Sequence, residues 1–304
     1  MLGRIAELHY SHGMTHQQVA ELLGLSRVQV TRMLARARAE GIVEIRIHSD
    51  EAIFPQEQQA LVARYGLESA WIAPSFPEAV DTLDSIGTAG ASYLRSVLRP
   101  GMSVAVGLSS TIASVVPHLS QEQVDVVFIP AIGSRPAADS AVNPHQVAEL
   151  LADATGGKAA HLASPFLAST SEAARMIRAE PEISQVLNAA RHADLGLFGL
   201  GGTSKSTGII VDTLGTQEAN RELMALGVVG DISACFYDSA GKLVESEISE
   251  RVVGLRLDDI MAIPHRAAFA GGIDKVGSIK GALKGGIITT LVTDIDTARM
   301  ILEE

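Results

Sequence analysis

Three turns rich in glycine and hydroxyl-bearing residues are candidates for binding an anion. They lie at residues 107–111 (GLSST), 132–135 (IGSR) and 270–275 (AGGIDK). Each turn follows an apolar run typical of a buried strand, and backbone amides and hydroxyl groups in such turns can face a ligand. The second and third turns also supply a cation, Arg135 and Lys275 respectively. Together they predict a site for phosphate or a chemically similar group. The site residues that these turns contribute to this prediction are Gly107, Ser109, Ser110, Thr111, Gly133, Ser134, Arg135, Gly271 and Lys275.

A second group of residues, within the first fifty, has chemistry suited to reading DNA. Ala20, Gly24 and Val30 follow the spacing A-x3-G-x5-V, which lets two helices meet at a tight turn. Arginine pairs with guanine in the major groove, and valine or threonine methyl groups meet the thymine methyl group. Contacts with phosphate add affinity without sequence information. Predicted groove contacts are Ser26, Arg27, Val28, Thr31 and Arg32, and predicted phosphate contacts are Gln17, Arg36 and Arg46.

Helical spacing of apolar residues and capping residues place these side chains on three helices. Gly13 ends the first, Thr15 and Gly24 bound the second, and the third runs from the Ser26 cap to Gly41. Alternating apolar residues over 43–47 then predict a short strand. The pattern is typical of a winged helix-turn-helix domain over residues 1–50.

A polar helical linker over residues 51–66 separates this domain from a longer one, residues 67–304, in which strands and helices alternate. Runs that are apolar on both faces, such as VDVVFIPAI, predict a Rossmann-like, mostly parallel α/β sheet covered on both sides. The predicted strands are 69–73, 102–107, 124–131, 158–163, 193–200, 228–236, 261–270 and 287–292. The predicted helices are 78–98, 109–118, 144–154, 171–190, 216–226, 273–284 and 295–303. A local hairpin is expected in FYDSAGKLV, with its turn at residues 239–241.

Composition and charge agree with a DNA-binding head on a globular body. Of 304 residues 47% are hydrophobic, which excludes a disordered chain. Residues 1–50 contain six arginines and five acidic residues, a net charge of +1, whereas the other 254 carry −12. A locally basic segment on an acidic protein is typical of a nucleic-acid-binding arm. The sequence contains neither a signal-peptide core nor a run of about 20 apolar residues. A cytoplasmic location with no membrane partner is therefore expected.

Several other motifs do not support a cofactor, a metal or a catalytic group. Residues 199–206 (GLGGTSKS) resemble a nucleotide-binding P-loop, but Ser204 occupies the position of its required second glycine. The same segment lacks the full dinucleotide fingerprint. The single cysteine, Cys235, cannot form an intrachain disulfide, and the histidines lack metal-ligand spacing. Asp194, Asp231 and Asp274 are interpreted as structural residues or contacts to ligand hydroxyl groups rather than general bases.

Motifs along nearly the whole chain resemble the SorC family of sugar-binding transcriptional regulators, which is sometimes grouped with DeoR-like effector domains. The segments that carry the resemblance are, in order, GMTHQQVAELLGLSRVQVTRMLARARAEGIVEIRI, GLSST, IPAIGS followed by Asn143, DLGLFGLGG, GVVGDI with FYDSAG, and GGIDKVGSIKGALKGGIITTLVTDIDTA. The resemblance implies a body with the fold of sugar-phosphate isomerases and deaminases, a phosphorylated sugar as ligand, and a tetramer. It implies that Gly107, Ser109, Ser110, Thr111 and Lys275 bind the phosphate, with Arg135 and Asn143 beside the sugar. The family commonly has glycine where Ser109 stands.

The sequence thus predicts a transcriptional regulator that binds double-stranded operator DNA and responds to a phosphorylated sugar or polyol, as a homo-oligomer that we expect to be a tetramer. Two alternatives stay open at this point. One is a sugar-phosphate isomerase or deaminase that carries a DNA-binding arm, although no acid–base pair of suitable spacing is evident. The other is a DNA-binding protein without a ligand, against which the polar turns argue.

Overall fold

The amino-terminal unit consists of helices packed on a small apolar core. In this computed structural model, which describes residues 1–43, 53–119, 123–134, 143–203 and 217–303, the chain divides into units Met1–Ser49 and Asp50–Glu304. The first unit contains α1 (Leu2–Ala6), a π-helical turn (Glu7–Ser11), α2 (His16–Leu23) and α3 (Arg27–Ala39). Its buried side chains are Ile5, Ala6, Val19, Ala20, Val30, Leu34 and Ala37. The structure therefore contains the predicted helix pair.

Side-chain caps determine where α2 and α3 begin. Thr15 and Ser26 each accept a hydrogen bond from the backbone amide three residues on, and a glutamine at that position bonds back to the cap residue. Such reciprocal capping boxes satisfy two helix-terminal amides. Gly24 ends α2 with a φ of 66°, a left-handed conformation that favours glycine. The predicted strand over residues 43–47 lies, except for Val43, outside the described residues, so the wing stays a prediction.

The second unit contains a seven-stranded parallel sheet, which confirms the predicted α/β class. The sheet order is β1-β9-β8-β5-β2-β3-β4. Two short strands, β6 and β7, continue from the end of β5 in antiparallel pairing. The strands are β1 Ser69–Ala73, β2 Ser103–Val106, β3 Val127–Pro130, β4 Lys158–Ala159, β5 Leu195–Gly202, β6 Gly230–Ile232, β7 Cys235–Tyr237, β8 His265–Phe269 and β9 Thr290–Asp294.

Helices cover both faces of this sheet, and alternate strand residues point to the two apolar layers. Val104 and Val106 of β2 belong to one layer and Ala105 to the other. The helices are α4 Pro55–Tyr65, α5 Ala79–Val97, α6 Ser110–Ala113, α7 Pro144–Thr155, α8 Ser171–Ala179, α9 Pro181–Arg191, α10 Gln217–Ala225, α11 Glu247–Arg251, α12 Leu257–Ala262, α13 Val276–Lys284 and α14 Ile295–Leu302. Among the described residues, no helix is both long and apolar enough to cross a membrane.

Several predicted boundaries are wrong, each for a local reason. The run 228–236 is not one strand, because Ser233 and Ala234 reverse the chain between β6 and β7. The helix predicted over 171–190 is interrupted at Pro181, which opens α9 and has no amide proton to continue α8. The strand predicted over 261–270 begins only at His265, because α12 occupies the residues before it. The hairpin turn predicted at 239–241 is present, since the Asp238 side chain accepts bonds from the Ala240 and Lys242 amides.

A buried histidine opens α7 and makes the stability of this unit sensitive to acid. The His145 side chain is buried, and its ring lies edge-to-face with that of His161 at a centroid distance of 5.0 Å. Burial, and then His161, lower the pKa of His145, while Glu149 opposes them. Folding therefore favours the neutral ring, and stability falls as the pH drops below the unfolded-state pKa of about 6.5.

We expect a His145→Phe variant, which keeps an aromatic ring in this position but removes the titration, to lose less stability between pH 7.5 and 5.5 than the wild type. Chemical denaturation at a series of pH values measures this difference. A variant with the same pH dependence as the wild type would show that His145 does not contribute to acid sensitivity.

Candidate functional site

The residues predicted to read DNA lie together on the outer face of α3. Arg27, Val28, Thr31 and Arg32 are all exposed, and Val28 is 60% exposed despite its apolar side chain. Ser26 lies at the amino end of the helix, where its hydroxyl oxygen accepts a bond from the Gln29 amide. An exposed face of this composition, at the amino end of the second helix of the turn, suits the geometry of a recognition helix.

His16 adds a contact that was not predicted from the sequence. Its Nδ1 lies 3.0 Å from Thr31 Oγ1, and the Thr31 hydroxyl donates its proton to the Arg27 carbonyl oxygen at 3.1 Å. When the single hydroxyl proton of Thr31 is donated to Arg27, the first bond requires a proton on His16 Nδ1. Thr31 is thereby held in one rotamer, with its methyl group and one lone pair left for a base. The signal in the sequence was a histidine directly after the Thr15 cap.

The predicted phosphate contacts are engaged with acidic neighbours. Arg36 Nε lies 2.6 Å from Glu40 Oε1, and Gln17 Nε2 donates to Glu21 Oε1 at 2.8 Å. Both pairs are exposed, and such pairs contribute little stability, so exchange for a phosphate oxygen costs little. Arg46 lies outside the described residues.

In the second unit, the turn after β2 lies against the ends of β5 and β6. The Ser109 side chain is buried and caps α6 by accepting a bond from the Ile112 amide at 3.2 Å. A β-carbon at Gly199 would lie 2.5 Å from Ser109 Oγ, and one at Gly107 would lie 2.5 Å from Ser233 Oγ. These glycines therefore provide the space in which the two hydroxyl groups lie. Thr111 is buried in the first turn of α6, next to Ser110, where helix amides have no intrahelical acceptor.

The turn after β3 differs from the prediction, because its amides are already bonded. The Gly133 amide donates to the Val253 carbonyl oxygen and the Ser134 amide to the Ser164 carbonyl oxygen. A β-carbon at residue 133 would also collide with the Pro165 backbone, so close packing explains why this residue is glycine. Free amides for an anion are therefore absent at Gly133 and Ser134. Arg135, which follows them, lies outside the described residues.

Asp231 and Lys275 bring opposite charges together at the carboxyl end of the sheet. Both side chains are partly buried, and Asp231 Oδ2 accepts a bond from the Ala234 amide at 3.1 Å. Burial raises the pKa of Asp231 to about 6, although the Ala234 amide and Lys275 act against that shift. Burial also lowers the pKa of Lys275, with Asp231 opposing it. Their mutual attraction thus leaves part of the desolvation cost uncompensated.

Ser233 was not predicted as a site residue, but it lies two residues after Asp231 and has a buried hydroxyl group. It is 3% exposed, and its Oγ has no hydrogen-bond partner among the described residues. Buried hydroxyl groups are normally bonded, so an orphaned one in a candidate site indicates a missing partner. Ser233 and Ala234 form the β6–β7 turn, and the Ala234 amide bonds the Asp231 carboxylate, so this one turn connects Ser233 with Asp231.

The remaining predicted residues have structural contacts. Asn143 caps α7, its Oδ1 accepting a bond from the His145 amide at 3.1 Å, which leaves its NH₂ group for a ligand. Gly271 has no room for a side chain beside the Asp294 carboxylate. Asp194 accepts bonds from the backbone and hydroxyl of Ser103, which lower its pKa and agree with a structural role. No group of three potential metal ligands occurs in the described ranges.

Comparison with known proteins identifies the family. Residues 55–303 match the family described as "Putative sugar-binding domain", and residues 4–59 match the Crp-like helix-turn-helix domain. The chain is 30% identical to the transcriptional regulator LsrR of Escherichia coli K12, over 99% of this chain and 94% of that one. The chain belongs to the SorC family of sugar-binding transcriptional regulators. Its SorC-type fold agrees with the crystal structure of the full-length sorbitol operon regulator SorC from Klebsiella pneumoniae, with a TM-score of 0.78 and 28% identity over 99% of this chain and 98% of that one.

Another SorC-type relative is the erythritol catabolism regulatory protein EryD of Brucella abortus, 28% identical over 98% of this chain and 95% of its own. These relatives are transcriptional regulators, so the interpretation as a regulator rather than an enzyme is confirmed. This SorC-family chain is therefore a sugar-responsive, DNA-binding transcriptional regulator.

The contact between Gly199 and Ser109 gives a prediction that is independent of any ligand. A Gly199→Ala variant should lose about 1–3 kcal/mol of stability, because the added methyl group overlaps the Ser109 side chain. In the Ser109→Gly background, which lacks both the overlap and the α6 cap, the same Gly199→Ala change should cost much less. Urea denaturation of the four proteins of this cycle measures the coupling, and purely additive effects would contradict the packing account.

Proposed function

We propose that this regulator senses a phosphorylated sugar or polyol at the carboxyl end of its parallel sheet and controls a carbohydrate-catabolism operon. The observation that carries the proposal is the partly buried Lys275 amino group, whose charge Asp231 only partly compensates. A phosphate group would supply negative charge there and form charge-assisted hydrogen bonds. The Thr111 hydroxyl and the first-turn amides of α6 are further donors at the same end of the sheet.

The unphosphorylated part of the ligand would face Asp231 and Ser233. A carboxylate accepts hydrogen bonds from vicinal hydroxyl groups, and the orphaned Ser233 hydroxyl would gain a partner from a polyol. Two relatives have names that refer to sorbitol and erythritol, both polyols. Arg135 and Asn143 would lie beside the sugar.

A thermal-shift screen over sugar and polyol phosphates identifies the ligand, because binding to the native state alone raises stability with the logarithm of ligand excess. Among the ligands found, Lys275→Ala should weaken binding about ten- to a hundred-fold, the loss of one charge-assisted bond of roughly 1.5–3 kcal/mol. Titration calorimetry measures it. The dephosphorylated ligand should bind weakly to both proteins, and operator binding without ligand should stay near normal. An unchanged affinity in the variant would remove Lys275 from the site.

We propose that α3 reads operator DNA in the major groove through Arg27, Val28, Thr31 and Arg32, with Ser26 at the entrance of the groove. Gln17, Arg36 and Arg46 would then lie on phosphates. Arg32→Ala should cost about 1–3 kcal/mol at one base position and relax specificity there.

Arg36→Ala is the matched control for sequence reading. It should weaken binding to all sequences alike and reduce the salt slope by about one unit. Fluorescence anisotropy with operator and random duplexes, at several salt concentrations, separates the two effects. If both variants bind both duplexes as the wild type does, the assignment of α3 to the groove is wrong.

We also propose a cytoplasmic homo-oligomer, most simply a tetramer. One helix-turn-helix unit spans a single half-site, and half-sites one helical turn apart need recognition helices about 34 Å apart. A two-fold interface in the second unit would provide that pairing, and a repeated interface gives a tetramer. Light scattering should show four chains. A monomer that retains full operator affinity would contradict this expectation.

A further inference from the structure

Asp294, the last residue of β9, has a carboxylate with four hydrogen bonds from three different segments. Its Oδ1 accepts from the Thr297 amide at 2.9 Å and from Ser75 Oγ at 3.0 Å. Its Oδ2 accepts from Thr297 Oγ1 at 2.6 Å and from the Gly272 amide at 3.1 Å. The residue is 3% exposed, and two bonds per oxygen saturate a buried carboxylate.

One of these bonds leads directly to the cation of the proposed effector site. The Gly272 amide donates to Asp294, and the Gly272 carbonyl oxygen accepts a bond from the Lys275 amide at 3.0 Å. Gly272 has a φ of 100°, which a side chain would strain, and Gly271 has no room for a β-carbon beside Asp294 Oδ2. The Asp294 carboxylate and the Thr297 hydroxyl, which accepts from the same Gly272 amide at 2.7 Å, therefore fix the orientation of the peptide on which the short 3-10 turn Ile273–Lys275 is built.

The other bonds hold the carboxylate itself in place. Thr297 lies in the first turn of α14, which Asp294 caps. Ser75 belongs to the segment after β1, and its Oγ also accepts a bond from the Asp296 amide at 3.1 Å. The support for the Lys275 turn thus comes from β9, α14 and the segment after β1, none of which belongs to the proposed effector site.

We propose that Asp294 is a positioning residue of the effector site, which through the Gly272 peptide holds the turn that carries the Lys275 amino group. The proposal rests on the proposed function for its link to the effector, but the placement of Lys275 can be measured without a ligand. The substitution Asp294→Asn is nearly isosteric, yet the NH₂ group that it introduces cannot accept a bond, so one pair of donors loses its acceptor.

The first experiment measures the Lys275 pKa by NMR of the full chain with ¹³C-dimethylated lysines, its signal assigned by its absence in Lys275→Arg. We expect the wild-type pKa to lie below the ordinary lysine value. In Asp294→Asn it should move toward that value, because the amino group is released toward solvent. Asp296→Asn removes the same charge two residues away from an exposed side chain, and should leave the Lys275 pKa unchanged.

Two further variants separate positioning from general loss of structure. Ser75→Ala removes one of the bonds that hold the carboxylate, on the side away from Gly272, and should shift the Lys275 pKa less than Asp294→Asn does. Thr297→Val removes a hydroxyl that accepts from the Gly272 amide at 2.7 Å, and should alter it as Asp294→Asn does. A Lys275 pKa that is the same in wild type, Asp294→Asn and Thr297→Val would overturn the proposal.

The second experiment uses sorbitol 6-phosphate and inorganic phosphate as probes in titration calorimetry. Asp294→Asn should weaken probe binding about ten-fold or more in the wild-type background and have little further effect in Lys275→Ala. Equal effects in both backgrounds would overturn the proposal. If neither these probes nor any phosphate in the thermal-shift screen binds the wild type, while the Lys275 pKa still responds to Asp294→Asn, the proposed function fails and the positioning role stands.

Discussion

The proposed effector site of the second unit depends on the free-energy cost of holding a lysine and an aspartate partly away from water. Electrostatic attraction between Lys275 and Asp231 recovers only part of that cost, because burial displaces the pKa of each group toward its neutral form. An anion with hydroxyl groups would compensate both residues at once. A ligand that supplies the missing charge and hydrogen bonds removes this desolvation cost, and its binding free energy becomes more favourable. We propose that this effect makes the carboxyl end of the sheet selective for a phosphorylated polyol.

Glycines let polar side chains approach the backbone closely at the carboxyl end of the sheet. Glycines at 107, 199 and 201 each leave the space taken by one polar side chain, respectively Ser233, Ser109 and Asp231. Three adjacent elements, β2, β5 and β6, can therefore bring their polar groups within reach of one another. A regulator also needs its two conformations to bind the effector with different affinity, since otherwise the effector cannot change operator binding. A fixed position for Lys275 suits that requirement, because a displaced amino group would reduce the difference in effector affinity between the two conformations.

The sequence predicted most of the framework, because parallel strands and capped helices depend on local patterns. Continuous apolar runs located the seven parallel strands, and Thr15, Ser26 and the glycines located the DNA-binding helices. The β6–β7 turn was missed for a physical reason. Hairpin turns with two positive φ angles usually contain glycine, asparagine or aspartate, whereas here Ser233 and Ala234 adopt φ angles of 48° and 64°. Because this turn was not predicted, Ser233, which lies in it, was not predicted as a candidate site residue either. Long-range bonds, such as those from Ser75 and Gly272 to Asp294, leave no local signal.

We propose that a phosphorylated ligand bound by the second unit changes the DNA affinity of the first. The most direct test is the affinity of the 304-residue chain for a duplex selected by binding from random sequence, measured by fluorescence anisotropy with and without each ligand. Our account predicts that a polyol or sugar phosphate changes this affinity severalfold or more, while its dephosphorylated counterpart at the same concentration does not. If both forms change the affinity equally, or if no phosphorylated ligand changes it, the account is contradicted.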